Sequence, residues 1–232
     1  LLLDLEAVED LAGVAGEELE QLELLRRQLD PAAVAEVLLP LVDGRDKLLN
    51  NALMADLDGN PVAWFQGRME FGPRALGGRS IIGCPSAVGV ADRINEQIKF
   101  RERWRPFCPS MLDTVAPKML KVDHPSPFMT FTFEVNEEWK ERVGEVVHED
   151  GTSRAQVLER RFNPRWYELM LELEKLTGNG VSLNTSLNRR GEPMICSPTD
   201  ALNMFYGSDL QYLIMEDILV VKDGAAPYDQ PL

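Results

Sequence analysis

The 232-residue sequence predicts an α/β (α+β) protein, a twisted mixed sheet flanked by helices and preceded by a helical lead-in. Three observations carry that expectation. Short β-branched and aromatic runs such as "PVAWFQG" and "PFMTFTFEV" recur along the chain. Well-punctuated helical stretches such as "NPRWYELMLELEKLTG" lie between them. The alternation is irregular, which favours a mixed sheet over a regular parallel one.

Each element has its own reason. "EELEQLELLRRQL" and "DPAAVAEVLLPLV" have helical periodicity, and the Asp-Pro pair reads as an N-cap with proline at the first helical position. These make residues 1–44 a helical lead-in, with a domain over 45–232. "DGN" at 58–60 is a turn, and "PVAWFQG" after it a strand. "AVGVADRINEQIKF" (87–100) is a helix ending near Lys99. "PFMTFTFEV" (127–135) and "SRAQVLE" are strands by alternation. "NPRWYELMLELEKLTG" starts on an Asn N-cap followed by Pro and stops at Gly. "GVSLNTSLN" is a strand running into a polar loop, "SPTDALNMFYGSD" a capped helix, and "LQYLIMEDILVVK" a pair of strands. The tail "DGAAPYDQPL" is expected to be loose. Trp64, Phe65 and Phe107 belong in the core.

Composition narrows the function classes. A hydrophobic share of 44% with 27% charged residues is that of an ordinary globular protein. No stretch of about 18 apolar residues occurs, so no membrane span is expected. The net charge of −14 repels nucleic acid, so a nucleic-acid partner is unlikely on composition. Cys84, Cys108 and Cys196 are widely spaced and odd in number. They make neither a disulfide framework nor a zinc motif, and point to a reducing, cytoplasmic setting.

Against this acidic background stands a basic island. Between Trp64 and Phe107 there are eight basic residues (Arg68, Arg74, Arg79, Arg93, Lys99, Arg101, Arg103, Arg105) and four acidic ones (Glu70, Asp92, Glu96, Glu102). The island is thus +4, and the rest of the chain −18. Its first part, "GRMEFGPRALGGRSIIGCP", mixes arginine with glycine. Arginine offers a planar fork that fits phosphate, and glycine lets backbone N–H groups approach the same oxygens. For Arg68, Arg74 and Arg79 the ligand reading outweighs ordinary surface pairing; for "RERWR" the two are balanced. Arg68 and Glu70 fit an internal ion pair as well as a ligand role. Downstream, "HEDGTSRAQ" places His148, Asp150 and Arg154 at what reads first as a hairpin turn. "SLNTSLNRRGEP" sets Asn184, Thr185, Ser186 and Asn188 at a strand end, where they either cap a turn or grip phosphates or an amide-bearing group. Neither a nucleophile–His–Asp set nor a GxxxxGK[ST] loop is visible, so electrostatic handling of phosphates is the chemistry indicated.

The motifs "FQGRMEFGPRALGGRSI", "INEQIKFRERWRPFCPSML", "SPFM", "HEDGTSRAQ", "TGNGVSLNTSLNRRGEPMICSPTDAL" and "DILVVK" occur in the order seen in the carbamoyltransferase family of the NodU/CmcH type. Over about residues 45–222 the chain resembles that family's C-terminal domain, which is similar to the YrdC fold. The resemblance implies joining of carbamoyl phosphate to ATP as carbamoyl-adenylate, with Mg2+ as companion ion. An N-terminal metal-binding transferase domain, which the sequence does not contain, would pass the carbamoyl group to a hydroxyl of a sugar, antibiotic or related metabolite. The start at Leu1 reads as the beginning of an excised C-terminal part. ATP and carbamoyl phosphate together carry about six negative charges, which explains the island.

By matching motifs, the resemblance assigns Lys99 and Arg105, with Arg101 and Arg74, to phosphates of ATP or the adenylate. Arg154 would contact the carbamoyl or α-phosphate region. Asn184 and Ser186 would bind the carbamoyl amide or the nucleotide, with Asn188 shaping the loop. Lys99, Arg105 and Arg154 are therefore the expected catalytic residues; no metal ligand is assigned. His148 is expected behind the site or at an interface. Gly78, where the family usually has Asn, and "IIGCPS", where "ILADPR" is common, are departures. They leave a second reading open: an inactive nucleotide-binding module that regulates or scaffolds a partner.

Overall fold

A computed structural model of the chain describes residues 39–40 and 58–222, apart from 123 and 217. The remainder of the expected lead-in and the tail after residue 222 lie outside the described residues. Within "DPAAVAEVLLPLV", where helix was expected, Leu39–Pro40 is a two-residue strand, β1. Proline has no N–H for a ladder and breaks a helix interior, so it suits the edge position that β1 holds.

The strands follow in chain order. They are β2 (Val62–Phe65), β3 (Arg79–Gly83), β4 (Cys108–Leu112), β5 (Phe133–Glu134), β6 (Thr152–Ser153), β7 (Gln156–Leu158), β8 (Val181–Ser186), β9 (Tyr212–Met215) and β10 (Ile218–Val221). Eight of them form one sheet in the order β1-β10-β9-β2-β3-β8-β4-β7. The pairs β2/β9 and β4/β7 are parallel and the others antiparallel, the mixed sheet expected. β5 and β6 form a separate two-stranded ribbon.

The helices are α1 (Val90–Arg93), continued by a π-helical turn over Ile94–Ile98, then α2 (Ala116–Met119), α3 (Glu137–Lys140), α4 (Pro164–Thr177) and α5 (Pro198–Tyr206). The two long ones keep the punctuation read from the sequence. Asn163 caps α4 by accepting from Trp166 N–H, and Gly178 ends it in the left-handed region at φ 70°. In α5 the Ser197 hydroxyl and the Asp200 carboxylate satisfy each other's backbone N–H groups, a capping box. α4 buries Trp166, Leu169, Met170 and Leu173 against β4 and β8, while α5 covers β2 and β9. Trp64, Phe65 and Phe107 lie in the core as expected.

The strand expected over 127–135 shrinks to β5. Phe128 and Phe131 face solvent, and Met129 is left-handed at φ 53°, so the alternation there reflects surface aromatics. "SRAQVLE" is two strands, not one. β6 joins the ribbon, β7 joins the main sheet, and Arg154 sits in the break between them.

Candidate anion site

The glycine-rich stretch 67–79 is organised from within. Glu70 Oε1 accepts from the backbone N–H of Leu76 (2.7 Å), Gly78 (2.6 Å) and Arg79 (3.3 Å). Glu70 is therefore structural, but through the backbone and not through Arg68, which is exposed. Gly77 has φ +100°, and a Cβ there would lie 2.5 Å from Cγ of Trp166, so glycine is required on two counts. Arg79 corrects the ligand expectation. It is buried, stacks 3.5 Å from the Phe65 ring centroid, and donates to the carbonyls of Gln66, Gly67, Gly78 and Cys196. A guanidinium with those acceptors ties the loop to the sheet and is committed there.

The end of the π turn sets the next part. Lys99 N–H bonds to Ile94 O at 2.9 Å, five residues back, and Phe100 then turns the chain in the left-handed region at φ 51°. Asn95, fully buried, holds the loop that follows. Its Nδ2 donates to the carbonyls of Arg103 (3.1 Å) and Arg105 (3.2 Å), and its Oδ1 accepts from Arg101 Nε (2.5 Å).

Four cations converge from this loop and from the β6/β7 break. Lys99, only 4% exposed, donates from Nζ to Ser186 O (2.6 Å), to Asn188 Oδ1 (2.7 Å) and to Ser186 Oγ (3.3 Å). Burial first, and the Arg101 guanidinium second, push its pKa from the ordinary 10.5 down to about 7. Arg101 lies 4.6 Å from the Phe107 ring centroid. Burial, then the Arg105 charge, lowers its pKa to about 10. Arg154 lays Nε (3.3 Å) and a terminal nitrogen (3.1 Å) on Cys108 Sγ. Cys108 faces Asn184 across the β4/β8 ladder, two residues before Ser186 on β8.

The partners sort by depth. Lys99, Arg101 and Arg154 contact amides, a hydroxyl, a carbonyl and a thiol, with no carboxylate in ion-pair distance among the described residues. The outer cations are neutralised: Arg103 pairs with Asp92 and Glu96, and Arg105 (3.0 Å) and Arg190 (3.1 Å) with Glu102. Positive potential is thus kept where the inner groups meet.

Of the expected residues, Lys99, Arg101, Arg105, Arg154, Asn184, Ser186 and Asn188 fall in one linked neighbourhood. Ser186 Oγ donates to Asn188 Oδ1 at 2.7 Å, and Asn188 Nδ2 holds the loop through Glu192 O at 2.8 Å. Arg74 is exposed and makes no contact of this kind. Its chain neighbour Ala75 is buried, and the Ala75 carbonyl accepts from Asn184 Nδ2 at 3.1 Å. His148 takes part in the turn expected at "HEDGTSRAQ". Its Nδ1 lies 3.3 Å from Thr152 Oγ1, and Asp150 accepts from Thr152.

Sequence reading missed Asn95, Ser110 and Gln156. Ser110 Oγ donates to Gln156 Oε1 (2.6 Å), Asn184 Nδ2 donates to Ser110 Oγ (2.8 Å), and Gln156 Nε2 to Leu76 O (3.1 Å). This buried network ties the glycine loop to β4, β7 and β8. A polar residue breaking an apolar helical face, as Asn95 does between Ile94 and Ile98, was the available signal.

No group of three or more His, Cys, Asp and Glu side chains able to hold a metal occurs among the described residues. Glu102, beside the cluster, is engaged by two arginines. The arginines thus occupy the carboxylate nearest the cluster. A separate cavity of about 350 Å3 near Gly59 and Val88 contains none of the expected residues except Arg93 of the island, which is spent on Asn60 Oδ1 and Gly59 O. No helix among the described residues is long and apolar enough to cross a membrane.

Residues 54–222 match the family model described as "Carbamoyltransferase C-terminus". The chain is 39% identical over 192 residues to the uncharacterized protein sll1178 of Synechocystis, covering 74% of this chain and 31% of that protein. It is 41% identical over 175 residues to the nodulation protein NolNO of Sinorhizobium fredii (74% and 26%) and 37% over 187 residues to NolO of Bradyrhizobium diazoefficiens (79% and 34%). The chain thus spans about a third or less of the length of these relatives. Among solved structures, a Sua5 variant of P. abyssi aligns with a TM-score of 0.46 and 15% identity, covering 72% of this chain and 50% of that one. That likeness is too remote to add to the sequence matches.

Proposed function

The chain belongs to the carbamoyltransferase C-terminal family, and from that premise we propose that it forms carbamoyl-adenylate from carbamoyl phosphate and ATP. The observation that carries the reading is the convergence of Lys99, Arg101, Arg105 and Arg154, the inner three partnered by neutral acceptors. Atom balance sets the sequence of bonds. Water opens carbamoyl phosphate to carbamate and phosphate; a carbamate oxygen then attacks the α-phosphorus of ATP, and pyrophosphate leaves. Both stages gather negative charge, and fixed cations stabilise it without reorganising.

In this reading Lys99 and Arg101 hold phosphate oxygens, with Arg105 at the entrance. Arg154 exchanges a weak thiol acceptor for an anionic oxygen, a stronger partner for its fork. Asn184, Ser186 and Asn188 shape the floor, and Arg74 closes the rim. Magnesium would arrive on the nucleotide phosphates, its usual anchor. The carbamoyl group would then go to a hydroxyl of a sugar, antibiotic or related metabolite, through an N-terminal transferase domain drawn from the remaining length of the relatives.

The test is ATP consumption that depends on carbamoyl phosphate, with pyrophosphate measured directly. We expect turnover by the chain and a loss of about a hundredfold or more in Lys99→Ala. A folded chain that binds ATP but shows no carbamoyl-phosphate-dependent turnover would mark a nucleotide-binding module instead.

A further inference from the structure

The loop that supplies Lys99, Arg101 and Arg105 also carries aromatic side chains that phosphate handling does not use. Trp104 is 77% exposed and Phe100 52%. Trp64, Trp139 and Trp166, the other three indoles, are at most 4% exposed. Elsewhere on the surface exposed rings cover one another: Phe128 and Phe162 lie 6.1 Å apart, and Phe131 lies 4.4 Å from His124. Trp104 has no ring partner among the described residues.

The loop does not expose Trp104 by being slack. The carbonyls of Arg103 and Arg105, on either side of it, both accept from Asn95 Nδ2 (3.1 and 3.2 Å). Oδ1 of the same buried amide accepts from Arg101 Nε, so one amide group separates the Trp104 backbone from an inner guanidinium. Phe100 turns outward at a φ of 51°, a conformation that bulky residues rarely adopt, while Lys99 before it stays buried. Charge divides the same loop. Lys99 and Arg101 keep neutral partners, whereas Arg103 and Arg105, the neighbours of Trp104, are paired with carboxylates. The inner end suits phosphate, and the outer end suits a flat, uncharged group.

We propose that Trp104 is the stacking platform for the base of the bound nucleotide. A nucleotide has the polarity of this loop, with an anionic end and a neutral aromatic one. Every base has a π face, so stacking on an indole separates a nucleotide from an inorganic phosphate without reading which base it carries. Carbamoyl phosphate, which has no aromatic end, gains nothing from it. That the phosphates of the same ligand lie on Lys99 and Arg101 rests on the function proposed above; the stacking of a base on Trp104 does not.

The test measures binding of ATP and of inorganic tripolyphosphate to the chain, to Trp104→Ala and to Trp104→Phe by calorimetry. In parallel, acrylamide quenching of indole fluorescence is followed with ATP, tripolyphosphate or adenosine present. Trp104 dominates that quenching, because the other indoles are buried. We expect Trp104→Ala to lose about tenfold in ATP affinity while binding tripolyphosphate as the parent does, and Trp104→Phe to keep most of the ATP affinity. ATP and adenosine should shield the parent from acrylamide, and tripolyphosphate should not. An equal loss of both ligands in Trp104→Ala, no loss of either, or bound ATP that leaves Trp104 open to acrylamide overturns the proposal. If neither ATP nor tripolyphosphate binds, the phosphate reading falls; shielding by adenosine then upholds the platform, and its absence overturns it.

Discussion

Raising the pH from 6 to 9 should weaken polyphosphate binding through Lys99. With its pKa near 7, the Lys99 amine is about 90% charged at pH 6 and about 1% at pH 9. If only the ammonium form holds a phosphate, affinity falls close to 90-fold over that range, about 2.7 kcal/mol. Linkage sets the sign: a bound anion raises the amine pKa again, so binding takes up a proton and loses strength as the free amine titrates. The ligand's own titration is common to all variants. The assay is therefore the difference between the chain and Lys99→Met, by calorimetry with pyrophosphate across pH 6–9. A flat difference would refute the claim that Lys99 titrates at the site. Stability should move the other way. Between about pH 7 and 10.5 the unfolded chain holds the proton that the folded one releases, so folding gains from Lys99 as pH rises. Below pH 7 both states are protonated and the burial penalty is complete.

Two further outcomes follow from the scaffold. Gly77→Ala meets the Trp166 ring and a φ of +100°, and should cost about 2–4 kcal/mol of stability, read by urea unfolding. Asn95→Ala removes the side chain that holds Arg101 and the carbonyls of Arg103 and Arg105. The loop should then be cut by trypsin at Arg101 or Arg103 faster than in the parent, with pyrophosphate binding about tenfold weaker.

What was legible in the sequence was local. The ends of α4 and α5 were readable because capping is settled within a few residues, as Asn163 and the Ser197–Asp200 pair illustrate. β8 was readable from its apolar run before "NTS". β4 was hidden by Pro109, which normally argues against an inner strand. Pro109 is tolerated because the β7 ladder begins only at Ser110, so no neighbour on that side needs its missing N–H. β3 was hidden by Arg79, whose burial depends on carbonyls from residues 66–67 and 196, contacts that no local pattern encodes. The candidate site was legible as residue types through resemblance. Which cations stay free of carboxylates was not, because that depends on loops brought together by the sheet.

That separation can be tested by abolishing it at one atom. In Asn188→Asp the oxygen 2.7 Å from Lys99 Nζ becomes a carboxylate. The new charge favours the ammonium form, so the Lys99 pKa rises, while the Nδ2 bond to Glu192 O is lost. The same charge repels the ligand. At an effective dielectric of about 20 and a separation of about 8 Å, repulsion by a single phosphate charge costs about 2 kcal/mol, roughly thirtyfold in affinity. A Lys99 pKa that rises while pyrophosphate affinity falls is the expected pair of results. If Asn188→Asp binds pyrophosphate as tightly as the parent, the inner cations do not act as a reserve of positive potential. The neutral partners of Lys99 would then be a matter of packing alone.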